Sequence, residues 1–179
     1  MPVPLFDPRT PLEPLQPALR AALDEVLAAG QWILGPQVEA FEREWAAYCG
    51  TTHAVGVANG TDAITLALRA LGVGPGDEVV VPSFSYFASA EAIGPTGARP
   101  VFCDVDPGTM CVTPETVGAA VTPRTKAVIA VHLFGNVAPA VEIEEALGLP
   151  VVEDAAQAAG SRGPGPRPGN LGTLATWSF

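Results

Sequence analysis

Two adjacent carboxylates, Glu153 and Asp154, end the apolar run in "PVVEDAAQAAG" (Pro150 to Gly160), and Gln157 stands three residues beyond them. A carboxylate at the inner end of a buried strand is costly unless something positive meets it. Two other stretches offer complementary chemistry. In "NGTDAITLALRAL", Asn59 and Gly60 read as a tight turn and Thr61 or Asp62 as the cap of a helix whose apolar face is Ile64, Ala67, Leu68 and Leu71. A strand, a glycine turn and a helix N-terminus present N–H groups and a positive dipole end to an anion such as a phosphate, although the same arrangement also serves as plain scaffolding. In "SFSYFASAEAI", Phe84, Tyr86 and Phe87 bring three rings together. At least two of them are expected to pack in the core, which leaves one to stack on a planar ligand.

These residues need elements to carry them. Leu19, Leu23, Val26 and Leu27 recur at helical spacing between Pro17 and Gly30, and Val38, Phe41, Trp45 and Tyr48 form a second apolar stripe that reads as packing. Six short runs follow: "HAVGVA", "EVVVP", "RPVFCD", "KAVIAV", "LPVVE" and "LATWSF". Most are rich in Val without polar alternation, which predicts parallel strands buried on both faces, crossover helices between them and an α/β fold. In such a sheet ligands sit beyond the carboxyl ends of the strands, where all three stretches fall.

A phosphate turn, an aromatic ring and a buried carboxylate on successive strand ends are what a pyridoxal phosphate site requires. That cofactor has a phosphate, a flat ring and a ring nitrogen that must stay protonated. The pyridinium nitrogen is then one candidate for the positive charge beside Asp154; an arginine partner or a helix-capping role is the other. Three further patterns carry less. "GVGPGD" (Gly72 to Asp77) precedes a strand, so it reads as a turn and not a dinucleotide loop; Asp104 and Asp106 read as a strand-end turn, with no metal site expected. His132 ends a strand at the site edge, either touching a ligand or bonded within the structure.

Composition narrows the classes. A net charge of −10 over 179 residues argues against nucleic acid as a partner. Cys49, Cys103 and Cys111 show neither disulfide nor zinc spacing and read as free thiols. The start "MPVPLFDPRTPLEPLQ" has prolines where a signal peptide needs an apolar stretch, and no run is long enough to span a membrane, so a soluble, cytoplasmic protein is expected.

Taken together, "GQWILGPQVEAFEREWAAYCGTTHAVGVANGTDAITLALRALGVGPGDEVVVPSFSYFASAEAIGPTGARPVFCDVD", "TPRTKAVIAVHLFGN" and "VVEDAAQAAG" resemble the nucleotide-sugar aminotransferases of the DegT/StrS family, which are fold type I pyridoxal phosphate enzymes. The resemblance implies an N-terminal helical segment over 1–50 and part of the cofactor-binding major domain over 51–179. It implies that Gly60, Thr61 and Ser178 of "WSF" hold the cofactor phosphate, Tyr86 stacks on the ring, Asp154 pairs with the ring nitrogen and Gln157 approaches the ring hydroxyl. The implied reaction converts a keto group on a nucleotide-linked sugar to an amine, with an amino-acid donor, usually glutamate, in a homodimer. The family's Schiff-base lysine follows the serine of "SF" by a few residues, whereas Lys126, the single lysine here, precedes a strand. The 179 residues alone are therefore expected to be inactive, and a non-catalytic binding or regulatory protein of the same fold is the alternative. The connection "FGNVAPAVEIEEALGLP" is shorter than the helix-containing connection the resemblance implies, and "GSRGPGPRPGNLGT" reads as a linker of matching length.

Overall fold

Runs of Val-rich sequence without polar alternation satisfy their backbone only inside a sheet covered on both faces. A computed structural model, which describes residues 7–163 and 165–179, places five of the six runs in one such sheet. β1 (Glu78–Pro82), β2 (Arg99–Cys103), β3 (Thr125–Val131), β4 (Val151–Asp154) and β5 (Leu174–Thr176) stand in the order β2-β1-β3-β4-β5, with every neighbouring pair parallel. The fold is α/β, as expected. The first six residues of the proline-rich start, and Pro164 in the proline-rich loop, lie outside the described residues.

The chain divides into two compact units, one through Glu44 and one from Trp45 to Phe179. In the first, α1 (Arg9–Leu12) leads through a short 3-10 turn into α2 (Gln16–Ala29), which has Pro17 in its first turn and stops at Gly30 in the left-handed conformation. Leu19, Leu23 and Leu27 on α2 are exposed. α3 (Pro36–Cys49) begins in this unit and ends in the second.

The second unit holds the sheet, and the pleat sorts its valines. Val79 and Val81 of β1 join Ile129 and Val152 in a core with Ile64 and Leu68 of α4 (Gly60–Ala70) and Ile93 after α5 (Ala88–Glu91). Val80, Val128 and Val151 face the other way, onto Val117 of α6 (Pro114–Gly118) and Ile143 of α7 (Ala140–Leu147). Both faces are therefore covered by helices, which is what lets a parallel sheet go without polar alternation.

One expectation is corrected here. "HAVGVA" (53–58) is not a strand: the sheet ends at β5, and Val55 is 77% exposed. A strand exists through a neighbouring ladder, and apolar composition alone cannot supply one. The connection between β3 and β4 holds the two-turn helix α7, packed through Ile143 and stopped by Gly148 at φ 63°. Lys126 is exposed near the amino end of β3. "GVGPGD" forms turns, closed by Asp77, whose N–H donates to the Gly74 carbonyl while its Oδ2 accepts from the Gly74 N–H. Among the described residues no helix is long and apolar enough to cross a membrane.

The amino edge of the sheet is pinned by Glu78, a buried side chain that accepts from Arg99, Arg124 and Thr122. The Thr122 hydroxyl and the Arg124 guanidinium, with Arg99 adding to them and burial opposing, hold its carboxyl down at about 2 from an ordinary 4.5. A depressed carboxyl contributes stability that is fully present above its unfolded value and is lost as pH falls through its folded one. Thermal unfolding followed from pH 6 towards pH 2 should therefore show an acid-side loss of stability that is visibly smaller in Glu78→Gln.

Candidate functional site

The carboxyl ends of β3, β4 and β5, the chain after β1 and the start of α4 surround a cavity of about 250 Å³. Gly60, Thr61, Tyr86, Asp154, Gln157 and Ser178 all line it, although they span more than a hundred residues of sequence. Asn59, read from the sequence as part of the turn, lines it too, as do Ser85, Ala88, Thr176 and Trp177, which sequence reasoning did not select.

At one end lies the start of α4. Its cap is Asn59 and not Thr61 or Asp62: the Asn59 Oδ1 accepts from the Asp62 N–H at 2.9 Å and its Nδ2 donates to the Asp62 carboxylate. With the Asp62 N–H taken by this cap, the N–H groups of Gly60 and Thr61 have no acceptor among the described residues. They are the donors that a helix N-terminus keeps for an anion. Gly60 is required by close approach, because a Cβ there would sit 2.8 Å from the Ser178 Cβ and 3.1 Å from its Oγ. Ser178 reaches this place because its chain neighbours are held elsewhere. Trp177 and Phe179 set their rings edge-on against Trp45 of α3, with centroids 4.9 and 4.7 Å away, and alternation turns the serine to the opposite side.

At the other end, Asp154 is 7% exposed. Its Oδ2 accepts from the Ser89 Oγ at 2.7 Å and its Oδ1 from the Ala156 N–H at 3.3 Å. Among the described residues no Arg, Lys or His lies within ion-pair distance of it. The arginine-partner reading of Asp154 therefore falls. The alanine-rich segment after it forms turns, not a helix, so Gln157 is not one helical turn beyond Asp154 and the Ala156 bond caps a turn only. The Gln157 Oε1 accepts from the N–H of Phe134, a residue at φ 56°. Tyr86 is 76% exposed, which leaves a ring face open to a ligand, but the expectation that two of the three rings pack in the core is corrected: Phe84 and Phe87 are exposed as well, because the chain after β1 runs over the surface at the sheet's carboxyl edge.

Glu153, one residue earlier, is wholly buried and points the other way. Its Oε2 accepts from His132 Nε2 and the Gly169 N–H, and its Oε1 from the N–H groups of Leu171 and Gly172, all at 2.8 Å. His132 Nδ1 accepts from the Ala138 N–H, so the ring proton is on Nε2 and the imidazole is a structural donor. Burial pushes the Glu153 carboxyl up, but the His132 bond and the three N–H groups outweigh it and hold it below the ordinary value. The carboxyl half of the proline-rich loop is thus pinned and not a free linker. Both carboxylates were visible in the sequence, but the donors that saturate Glu153 come from residues 16 to 21 positions away. Asp106 accepts from the Gly108 and Thr109 N–H groups as a turn residue. The three cysteines are free and buried, and burial pushes the Cys103 thiol up to about 11, far from a nucleophile's range.

Comparison with known proteins gives a consistent result. The family model described as the DegT/DnrJ/EryC1/StrS aminotransferase family matches residues 15–179. The chain is 47% identical to a pleiotropic regulatory protein of Geobacillus stearothermophilus, over 100% of the chain and 49% of the relative. It is also 47% identical to dTDP-3-amino-3,4,6-trideoxy-alpha-D-glucose transaminase of Streptomyces venezuelae, over 99% and 48%. Among solved structures, S. venezuelae DesV in complex with a ketimine intermediate superposes with a TM-score of 0.93 at 47% identity, over 99% of this chain and 48% of that one. The chain spans about half the length of the curated relatives it matches.

Two substitutions test this geometry. Gly60→Ala should cost about 1–3 kcal/mol by overpacking against Ser178, measured by chemical denaturation. Glu153→Ala strands three N–H groups and a buried imidazole, so it should cost about 3–5 kcal/mol. Hydrogen exchange should then speed up at the amides of Gly169, Leu171 and Gly172 first.

Proposed function

The chain belongs to the DegT/DnrJ/EryC1/StrS aminotransferase family, and on that footing we propose that it supplies the cofactor-holding part of an enzyme that converts a keto group on a nucleotide-linked sugar to an amine, with glutamate as amino donor. The carrying observation is Asp154, a nearly buried carboxylate that lines a cavity and meets no cation among the described residues. Burial of that kind is stable when a ligand brings the positive charge.

Pyridoxal 5′-phosphate fits these residues. The free N–H groups of Gly60 and Thr61, with the Ser178 hydroxyl packed against Gly60, suit a phosphate; the exposed face of Tyr86 suits a flat ring; Asp154 suits a protonated ring nitrogen. When bound, this cofactor supplies an electron sink for amino-group exchange. The chain's own part is to hold the phosphate at the α4 N-terminus, to keep a proton on the ring nitrogen through Asp154, and to hold the ring plane with Tyr86. Gln157, its Oε1 occupied by the Phe134 N–H, keeps its Nε2 donors for the ring hydroxyl.

The division into a helical segment over 1–50 and a cofactor-holding part over 51–179 belongs to this reading. So does a homodimer, which the exposed rings of Phe84, Phe87 and Phe134 support, since large apolar surface favours association. Free, buried cysteines support a cytoplasmic setting. The alternative, a non-catalytic binding or regulatory protein of the same fold, is not favoured beside relatives that are a dTDP-amino-sugar transaminase and a UDP-sugar aminotransferase.

The test is Asp154→Asn in the full-length polypeptide. An amide is neutral and cannot stabilise a ring cation, so transamination should fall by about a hundredfold or more, the scale set by removing one preorganised electrostatic group. Far-UV circular dichroism should stay unchanged. Near-normal turnover in the Asn variant would sink the assignment.

A further inference from the structure

We propose that Ser85, Ser89 and Asp154 form a one-way chain of hydrogen bonds, in which Ser89 is a positioning residue for the carboxylate and Ser85 faces the cavity as an acceptor only. The positioning half rests on the cofactor reading above; the direction of the chain does not. Ser89 is 1% exposed, and its Oγ lies 2.7 Å from the Asp154 Oδ2 and 3.0 Å from the Ser85 Oγ. A hydroxyl has one proton to give and an ionised carboxylate has none. The Ser89 proton is committed to Asp154, so the proton shared between the serines belongs to Ser85 and points at Ser89. Ser85 lines the cavity with that proton spent, and what it offers a ligand is a lone pair. The groups it fits are donors, such as the hydroxyl or amino group of a substrate.

The same chain orients Asp154. With Oδ2 held by Ser89 and Oδ1 by the Ala156 N–H, the carboxylate plane is set before any ligand arrives. Ser89 sits in the one-turn helix α5, and its N–H donates to the Tyr86 carbonyl at 3.2 Å. One turn of chain therefore places both the stacking ring and the hydroxyl that aims the carboxylate. The turn is tied to α4 by the Thr65 Oγ1, which donates to the Ala92 carbonyl at 2.8 Å. Ser85 and Ser89 are four residues apart, the spacing of one helix face, and this is the only trace of the relay in the sequence.

The experiment measures noncovalent binding of pyridoxamine 5′-phosphate to the full-length polypeptide by fluorescence, alongside its 1-deaza analogue, in which a carbon replaces the ring nitrogen. Ser89→Ala should weaken the first ligand about tenfold, the scale of one hydrogen bond to a charged group, and leave the analogue unchanged, and Ser89→Thr should restore binding. Equal losses for both ligands, or no loss for either, would overturn the positioning role. Neutron diffraction of the unaltered, ligand-free protein reads the direction itself: deuterium on the Ser89 Oγ towards Asp154 and on the Ser85 Oγ towards Ser89 is expected, and a Ser85 deuterium aimed into the cavity overturns it. Failure of both ligands to bind the unaltered protein would sink the cofactor reading, and the neutron map would still decide the chain.

Discussion

A carboxylate with no access to water must be met by donors from the protein, and Glu153 imposes that condition on everything around it. It is fully buried in β4 and takes four hydrogen bonds, one from His132 at the end of β3 and three from the turn that leads into β5. Leaving such a charge short of partners costs several kcal/mol, about 3–5 for a broken buried pair. The turn from Gly169 to Gly172 is therefore drawn back across β4. Gly172 can approach because it has no Cβ, which would lie 2.7 Å from the Val151 carbonyl oxygen. Once the turn is seated, β5 pairs with β4 in parallel, and Trp177, Ser178 and Phe179 follow it directly.

From that seating the phosphate end of the cavity is built. Trp45 receives the rings of Trp177 and Phe179, and Gly169 packs close to Trp177, where a Cβ would be 2.9 Å from the ring. Ser178 is left against Gly60, at the first turn of α4. The glycine and the serine occupy one space, so neither can change size without moving the other. A backbone N–H pair and a hydroxyl are thereby brought to one point from opposite ends of the domain.

The two adjacent carboxylates show how a strand separates structure from chemistry. Successive side chains of β4 point to opposite faces, so Glu153 meets the loop and Asp154 meets the cavity. The first is saturated by donors of the chain. The second takes neutral donors only, from Ser89 and Ala156, and meets no cation among the described residues. Glu78, at the amino edge, is a third solution: a buried carboxylate satisfied by Arg99, Arg124 and Thr122, far from any chemistry.

The sequence by itself determined the α/β class, five of the strands and the turn and helix of "NGTDAITLALRAL", because Val-rich runs and a capped helix start are local signals, while the six residues that line the cavity were named together only through the family resemblance. It also suggested a sixth strand in "HAVGVA", and there local composition misled, since a strand needs a ladder that only a neighbour provides. The cap position was off by two or three residues because Asn59, and not Thr61 or Asp62, caps the helix, a choice among Asn, Thr and Asp that propensity leaves open. What the tertiary structure alone decided was the division of labour between Glu153 and Asp154, the structural role of His132 and the place of Ser89. Each depends on which donors arrive from 16 to 65 residues away. A side chain's charge is written in its type, but the partner that gives that charge a function is chosen by the packing of distant chain.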